Sequence, residues 1–219
     1  MFNGGDDGFP GDHPHNTNPA LAWVTMTIAS ASDGTSNTIA VSEIVTHATP
    51  GTLLLKGGAL NTSGGGMGTD GRGFWQGIET QCMNQRNPQM RTMMTGTAAT
   101  DVRRGHFGFS GRAADTSFMT MLPPNSPSCQ NGNSRESWGT WSASSNHPGG
   151  VNAGMFDGSG RFINDSINWK SAWVTSTWAP ENGDSRQTGQ PGQRLDGGPS
   201  DFGVWGALGT RAGGESVTF

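Results

Sequence analysis

The chain has 219 residues, 36 of them glycine and 12 proline, and carries a net charge of −4 with charged residues at only 14%. That balance lacks the basic stripe that nucleic-acid binding requires, and no apolar stretch reaches the ~20 residues of a membrane span. Eight tryptophans and ten phenylalanines exceed what disordered chains carry. The expectation is a mainly β (α+β) fold: an antiparallel sheet with long Gly-rich loops and a short C-terminal helix.

Residues 1–20 offer little to bury, and residues 1–30 are read as an irregular arm leading into a first strand, where Trp23, Thr25 and Thr27 alternate with Val24, Met26 and Ile28. Asp6, Asp7, Asp12, His13 and His15 of the arm match no metal-ligand spacing and read as solvated. Residues 31–219 are expected to form one β-rich domain. It opens with the turn signal "SDGTSNT", in which Asp33 can cap its own backbone, and continues in strand-type residues, "TIAVSEIV". "GMGTDG" at 66–71 has neither a preceding strand nor a following helix, so it is a loop and not a dinucleotide fingerprint. "SFMTMLPPNSPSC" is a strand candidate stopped by Pro123 and Pro124.

Cys82 and Cys129 stand 47 positions apart with no CxxC spacing, so zinc is not indicated. They are two buried thiols or one disulfide. A bridge would stabilise the fold by roughly 3–4 kcal/mol and imply an oxidising compartment. Arg103, Arg104 and Arg112 beside His106 and Phe107 form either an anion grip or a solvated or interface cluster.

"HPGGVNAGMFDGSGRFIND", residues 147–165, reads as a hairpin about Asp157-Gly158-Ser159-Gly160. Symmetric pairing places Met155 opposite Phe162, Phe156 opposite Arg161 and Gly154 opposite Ile163. Bulky groups on both faces put the hairpin inside a larger sheet. At ~3.3 Å per residue, His147 and Asp157 are separated by roughly 30 Å of extended chain, far outside the ~2.6–3.2 Å that acid–base partners need. His147 is therefore expected to be structural, marking the strand entrance and reaching toward residues 167–170. Asp157 and Gly158 make the turn. The turns at Asp33 and Asp157 also offer the oxygens a calcium ion takes, the one cofactor the sequence admits. Further on, "PSDFGVWGALG" reads as a helix with Ser200 or Asp201 as N-cap, Val204, Trp205 and Leu208 on one face, and Gly209 at C′.

Four segments, "ASDGTSNTIAVSEIV", "FMTMLPPNSPSC", "HPGGVNAGMFDGSGRFIND" and "VWGALGTRAGGE", resemble in matching order the segments of a large planctomycete-type family of prepilin-like proteins. Its C-terminal signature is His, nine residues, then Asp-Gly. The resemblance implies an exported protein, in the periplasm, at the cell surface or outside the cell, with no known catalytic role. The chain departs from the family in showing no prepilin leader or hydrophobic N-terminal helix, and in a longer segment before "VWGALGTR". The expectation is a non-enzymatic, pilin- or pseudopilin-like structural or interaction subunit that self-associates or packs onto a membrane-anchored complex. The alternative is a glycan- or polymer-binding surface module using Trp138, Trp141, Trp169, Trp173 and Trp178.

Overall fold

The computed structural model describes residues 2–3, 28–47, 49–63, 81–137, 139–169, 202–210 and 214. Among the described residues, eight short strands and two short α-helices follow one another: β1 (Phe2–Asn3), β2 (Ile39–Ser42), β3 (Leu60–Asn61), α1 (Ala113–Thr116), β4 (Ser117–Phe118), β5 (Cys129–Gln130), β6 (Gly139–Thr140), β7 (Gly150–Met155), β8 (Gly160–Asn164) and α2 (Gly203–Ala207). They build a five-stranded sheet of order β4-β1-β2-β7-β8 and a three-stranded sheet of order β3-β5-β6. Both sheets are mixed. β1–β4 and β3–β5 are parallel, and the other pairs are antiparallel. The mainly β expectation holds, with less regular strand than the sequence suggested.

The first block illustrates the difference. Within the arm read over residues 1–30, Phe2–Asn3 already form a strand, and Ile28–Ser30 form a 3-10 turn rather than the end of a strand. The remainder of that block lies outside the described residues, as does the Gly-rich loop at 66–71. In "SFMTMLPPNSPSC" the closing Cys129 begins β5, and the strand at the segment's start covers only Ser117–Phe118. Beyond it the chain stays buried but irregular, because the two prolines carry no N–H for a ladder and the backbone bonds to several neighbours in turn. Met119 N–H donates to the Trp141 carbonyl (2.7 Å), and Leu60 N–H donates to the Ser128 carbonyl (2.8 Å).

Alternation along β7 divides the sheet faces. Val151, Ala153 and Met155 point inward, where Ile39, Phe118, Ile163, Trp205 and Leu208 complete one core cluster. A second cluster surrounds the Cys82–Cys129 disulfide and includes Leu60, Met121, Leu122, Trp141 and Phe202. Trp169 packs against both clusters. α2 seals the first cluster: Trp205 is wholly buried and its indole N–H donates to the Leu122 carbonyl at 2.6 Å. The helix cap falls on Phe202, which makes no side-chain cap hydrogen bond; Ser200 and Asp201 lie outside the described residues.

Gly209 occupies C′ after Leu208 as expected, but for a different reason than a left-handed cap. A Cβ there would stand 1.8 Å from Thr120 Oγ1, itself wholly buried. The glycine lets the helix end close onto the Met119–Leu122 segment. Gly209→Ala is expected to destabilise the fold by about 2 kcal/mol through overpacking, read from urea unfolding midpoints. Wild-type stability in that variant would contradict the close approach.

Candidate functional site

The hairpin forms, with a register displaced from the one expected. Val151 pairs with Ile163, Asn152 with Phe162, Ala153 with Arg161 and Gly154 with Gly160. Met155 N–H donates to the Ser159 carbonyl and Gly158 N–H to the Met155 carbonyl. The loop is therefore three residues long, a turn closed by a left-handed glycine: Gly158 has φ +84°. A symmetric four-residue turn would have left Met155 opposite Phe162. The glycine's positive φ brings Ser159 there instead and keeps Val151 and Ile163 together on the core face.

Asp157 makes the turn in the expected way. Its Oδ1 accepts the Ser159 hydroxyl (2.6 Å) and backbone N–H (2.9 Å). These two bonds, the hydroxyl's first, hold its carboxyl below the ordinary carboxylate range. Asp33 does a comparable task at the other turn, its Oδ1 accepting Gly214 N–H (2.8 Å) and its Oδ2 the Thr210 hydroxyl (3.3 Å). Both carboxylates thus serve backbone and hydroxyl donors. Among the described residues no group of three His, Cys, Asp or Glu side chains could hold a metal ion.

These turns meet. Phe156 N–H and Asp157 N–H donate to the Thr38 and Thr35 carbonyls (3.0 and 3.1 Å), while Ile39 N–H donates to the Leu208 carbonyl (2.9 Å). The Thr38 hydroxyl reaches the Thr210 carbonyl at 3.3 Å. Asp33–Thr38, Met155–Ser159 and Leu208–Gly214 thereby form one junction at the turn end of the hairpin.

A second junction forms at the hairpin's open end, around Asn125, which lies within the family-like segment "FMTMLPPNSPSC". Asn125 is buried and has φ 58°, the one non-glycine with positive φ among the described residues. Asparagine tolerates that conformation better than most residues. Its amide nitrogen donates to Asp165 Oδ1 (2.7 Å) and to the Gly150 carbonyl (3.4 Å), and its Oδ1 accepts Ser145 N–H (2.9 Å). Its backbone N–H donates to the Ala143 carbonyl (2.8 Å), and its own carbonyl accepts from Arg86 (3.3 Å). Every polar group of Asn125 is bonded. Burial pulls the Arg86 guanidinium below its ordinary value, and the Asp165 charge works against that shift.

His147 lies beside this junction, at the opposite end of β7 from Asp157. It stands before β7, and its side-chain partner among the described residues is Glu43, where residues 167–170 were expected. His147 Nε2 stands 3.3 Å from Glu43 Oε1, with both side chains partly exposed. The chain brings Glu43 alongside because β2 pairs with β7 on the side away from β8. Burial pushes the Glu43 carboxyl upward. Bonds from Asn152 N–H and from the Ser145 and Asn152 side chains, with the His147 charge, outweigh it and hold the carboxyl below its ordinary value. A carboxyl with a depressed folded value contributes stability above its unfolded value, and that contribution is lost as pH falls through the folded one. Acid unfolding between about pH 5 and 2, followed by tryptophan fluorescence, is expected to be shallower for Glu43→Gln than for wild type. Parallel curves would contradict this.

Arg103 and Arg104, adjacent in sequence, separate completely. Arg104 is buried and donates to the carbonyls of Ala113, Ala114 and Ser142 at 3.2, 2.8 and 3.4 Å. Burial draws its guanidinium down to about 9, opposed by the charge of Asp115, so it remains charged at neutral pH. Arg103 faces a cleft of about 430 Å³ whose walls include Phe107, Arg112, Arg135 and Glu136. Of the tryptophans expected to be exposed, Trp141 is buried, and Trp169 lies past the end of β8 with its indole N–H bonded to the Met121 carbonyl. Trp138, Trp173 and Trp178 lie outside the described residues. Cys82 and Cys129 close one disulfide, Cα–Cα 5.8 Å, which is compatible with an exported protein. No helix among the described residues is long and apolar enough to cross a membrane.

No curated protein and no solved structure matches the chain. One family model does, over residues 3–170, a span that takes in the Asp33 turn, the Asn125 junction, the disulfide and the whole hairpin. The chain belongs to that family, described as a protein of unknown function (DUF1559).

Proposed function

We propose that the chain is a non-enzymatic, exported structural or interaction subunit, pilin-like in role, which packs into a filament or onto a membrane-anchored complex. The observation that carries this reading is a division of labour among side chains. Asp33, Thr38, Asn125 and Asp157, which belong to the family-like segments, bond inward to backbone and hydroxyl groups. Large apolar groups meanwhile stand outside. Phe109 is wholly exposed, Met90 and Phe162 are more than half exposed, and Val41 is exposed on the outer face of the larger sheet.

That outer face also carries the exposed Asn152 and Asn164, and its apolar side chains lie flat on it. A Cβ on Gly154 would meet Val41 at 2.8 Å, and one on Gly150 would meet the Phe162 ring at 2.7 Å. The two side chains therefore lie down over glycines instead of projecting. Exposed aromatics and apolar patches of this kind mark association surfaces. A closed disulfide fits the oxidising compartment in which an exported subunit works.

The test is the size of the native assembly for wild type and for Phe109→Ser/Phe162→Ser. Both positions are exposed, so monomer stability is expected to change little. The wild-type chain is expected to purify from its source in an assembly larger than a monomer, and the double variant as a monomer. A wild-type chain that is monomeric at high concentration, with no copurifying partner, would end this reading.

A further inference from the structure

The cleft beside the Phe109 loop holds three arginines, and their charges are not equally satisfied. Arg112 is taken by Glu136, with Nε and Nη2 both donating to Oε1 at 3.2 and 2.9 Å. Arg135 is taken by the buried Asp115, 3.3 Å from Nη1, and its guanidinium lies 4.6 Å over the Phe107 ring. Arg103 forms an ion pair with no carboxylate among the described residues. Asp101 and Glu136 also line the walls. With Glu136 held by Arg112, the cleft offers one guanidinium that has no ion-pair partner among the described residues, beside the Asp101 carboxylate. Such a site accepts a single carboxylate and repels a densely charged polyanion.

The loop above it supplies the other half of the recognition. Phe107 and Arg112, both in the cleft wall, bracket the turn in which Ser110 N–H donates to the Phe107 carbonyl. Phe109 stands at its tip, wholly exposed. The turn is held from below. The Ser110 hydroxyl donates to Asp115 Oδ2 (2.7 Å), and the Thr116 hydroxyl donates to the Ser110 carbonyl (2.7 Å). A bare ring on a braced loop gains most from burial against an apolar side chain. Aromatic rings beside arginine are also the side chains that dominate protein interfaces.

We propose that this cleft binds an acidic peptide segment of a partner protein, with one Asp or Glu carboxylate on Arg103 and a neighbouring apolar side chain against Phe107 and Phe109. The assignment rests on the interaction-subunit reading only in requiring that a partner exist. A hydroxyl-rich acidic glycan would satisfy Arg103 but gives Phe109 a less apolar surface, so the peptide is the better fit.

The probe is the blocked peptide acetyl-Gly-Leu-Glu-Leu-Gly-amide, titrated into the full chain and followed by amide and arginine side-chain NMR shifts. Saturable shifts are expected at Arg103, Phe107 and Phe109. Replacing the peptide's Glu by Gln should weaken binding about tenfold, the loss of one charge-assisted hydrogen-bonded pair. Arg103→Gln should weaken it equally, and combining the two changes should add nothing further. Arg103 is partly exposed and has no ion-pair partner among the described residues, so the variant is expected to keep the wild-type melting temperature. Arg103→Lys, retaining charge without the fork, should bind in between. No saturable shift at millimolar peptide, equal binding of the Gln peptide, or tighter binding of trigalacturonate at the same residues would each overturn the assignment. A native assembly that persists in Arg103→Gln, with no binding of the peptide to the wild-type chain, also overturns it and leaves the subunit reading standing.

Discussion

Breaking the Cys82–Cys129 disulfide is expected to destabilise the fold by about 4 kcal/mol, the chain-entropy value for a closed loop of this size. The bridge joins β5, the middle strand of the smaller sheet, to the 3-10 turn at Met83–Gln85. Both cysteines are wholly buried in the cluster that also holds Leu60, Met121 and Trp141. Small strands cannot support themselves. β3, β5 and β6 have two residues each, and a three-stranded sheet of that size has few ladder bonds to lose before it opens. The Cys82→Ala/Cys129→Ala variant, compared with wild type in urea before and after reduction, separates the loop effect from packing. A loss below about 1 kcal/mol on reduction would show that the unfolded chain is held by something else.

Replacing Asn125 with alanine is expected to cost about 3–4 kcal/mol. Three side-chain hydrogen bonds disappear, one of them to the Asp165 carboxylate, and each is worth about 1 kcal/mol, more for the charged partner. Alanine must also hold φ 58°, which adds about 1 kcal/mol for a residue with a Cβ and no local bond to compensate. Asn125→Gly separates the two contributions, since glycine adopts that φ freely. It should recover about 1 kcal/mol of the loss and leave the remainder. Equal stability of the alanine and glycine variants would show that the backbone conformation adds no cost.

Much of the hairpin was legible in the sequence, because alternation, Asp-Gly and flanking glycines have local causes. Its register was not. Whether Asp157-Gly158-Ser159-Gly160 makes a four-residue loop or a three-residue loop depends on where Gly158 takes its positive φ, and the core contact between Val151 and Ile163 decides that. The disulfide was open as one of two alternatives until the fold brought residues 47 apart into contact. The partner of His147, Glu43, lies on a distant strand end, and no local pattern points to it. Asn125 was hidden inside a run that read as the end of a strand, because "LPPN" advertises its prolines and not the buried turn behind them. Arg103 and Arg104 show the limit most plainly. Neighbours of one residue type become a buried carbonyl clamp and an open cation, and only tertiary packing distinguishes them.

The exposed apolar residues carry the functional reading, so the most direct measurement is a photocrosslinking amino acid placed at Phe109 in the chain expressed in its native cells. The control is the same group at Trp205, buried in one cluster with Leu208 and Ile39. The expected result is a discrete crosslinked species at Phe109, to a second copy or a single partner protein, and none at Trp205. A Phe109 probe that captures only water and scattered background would contradict a subunit role.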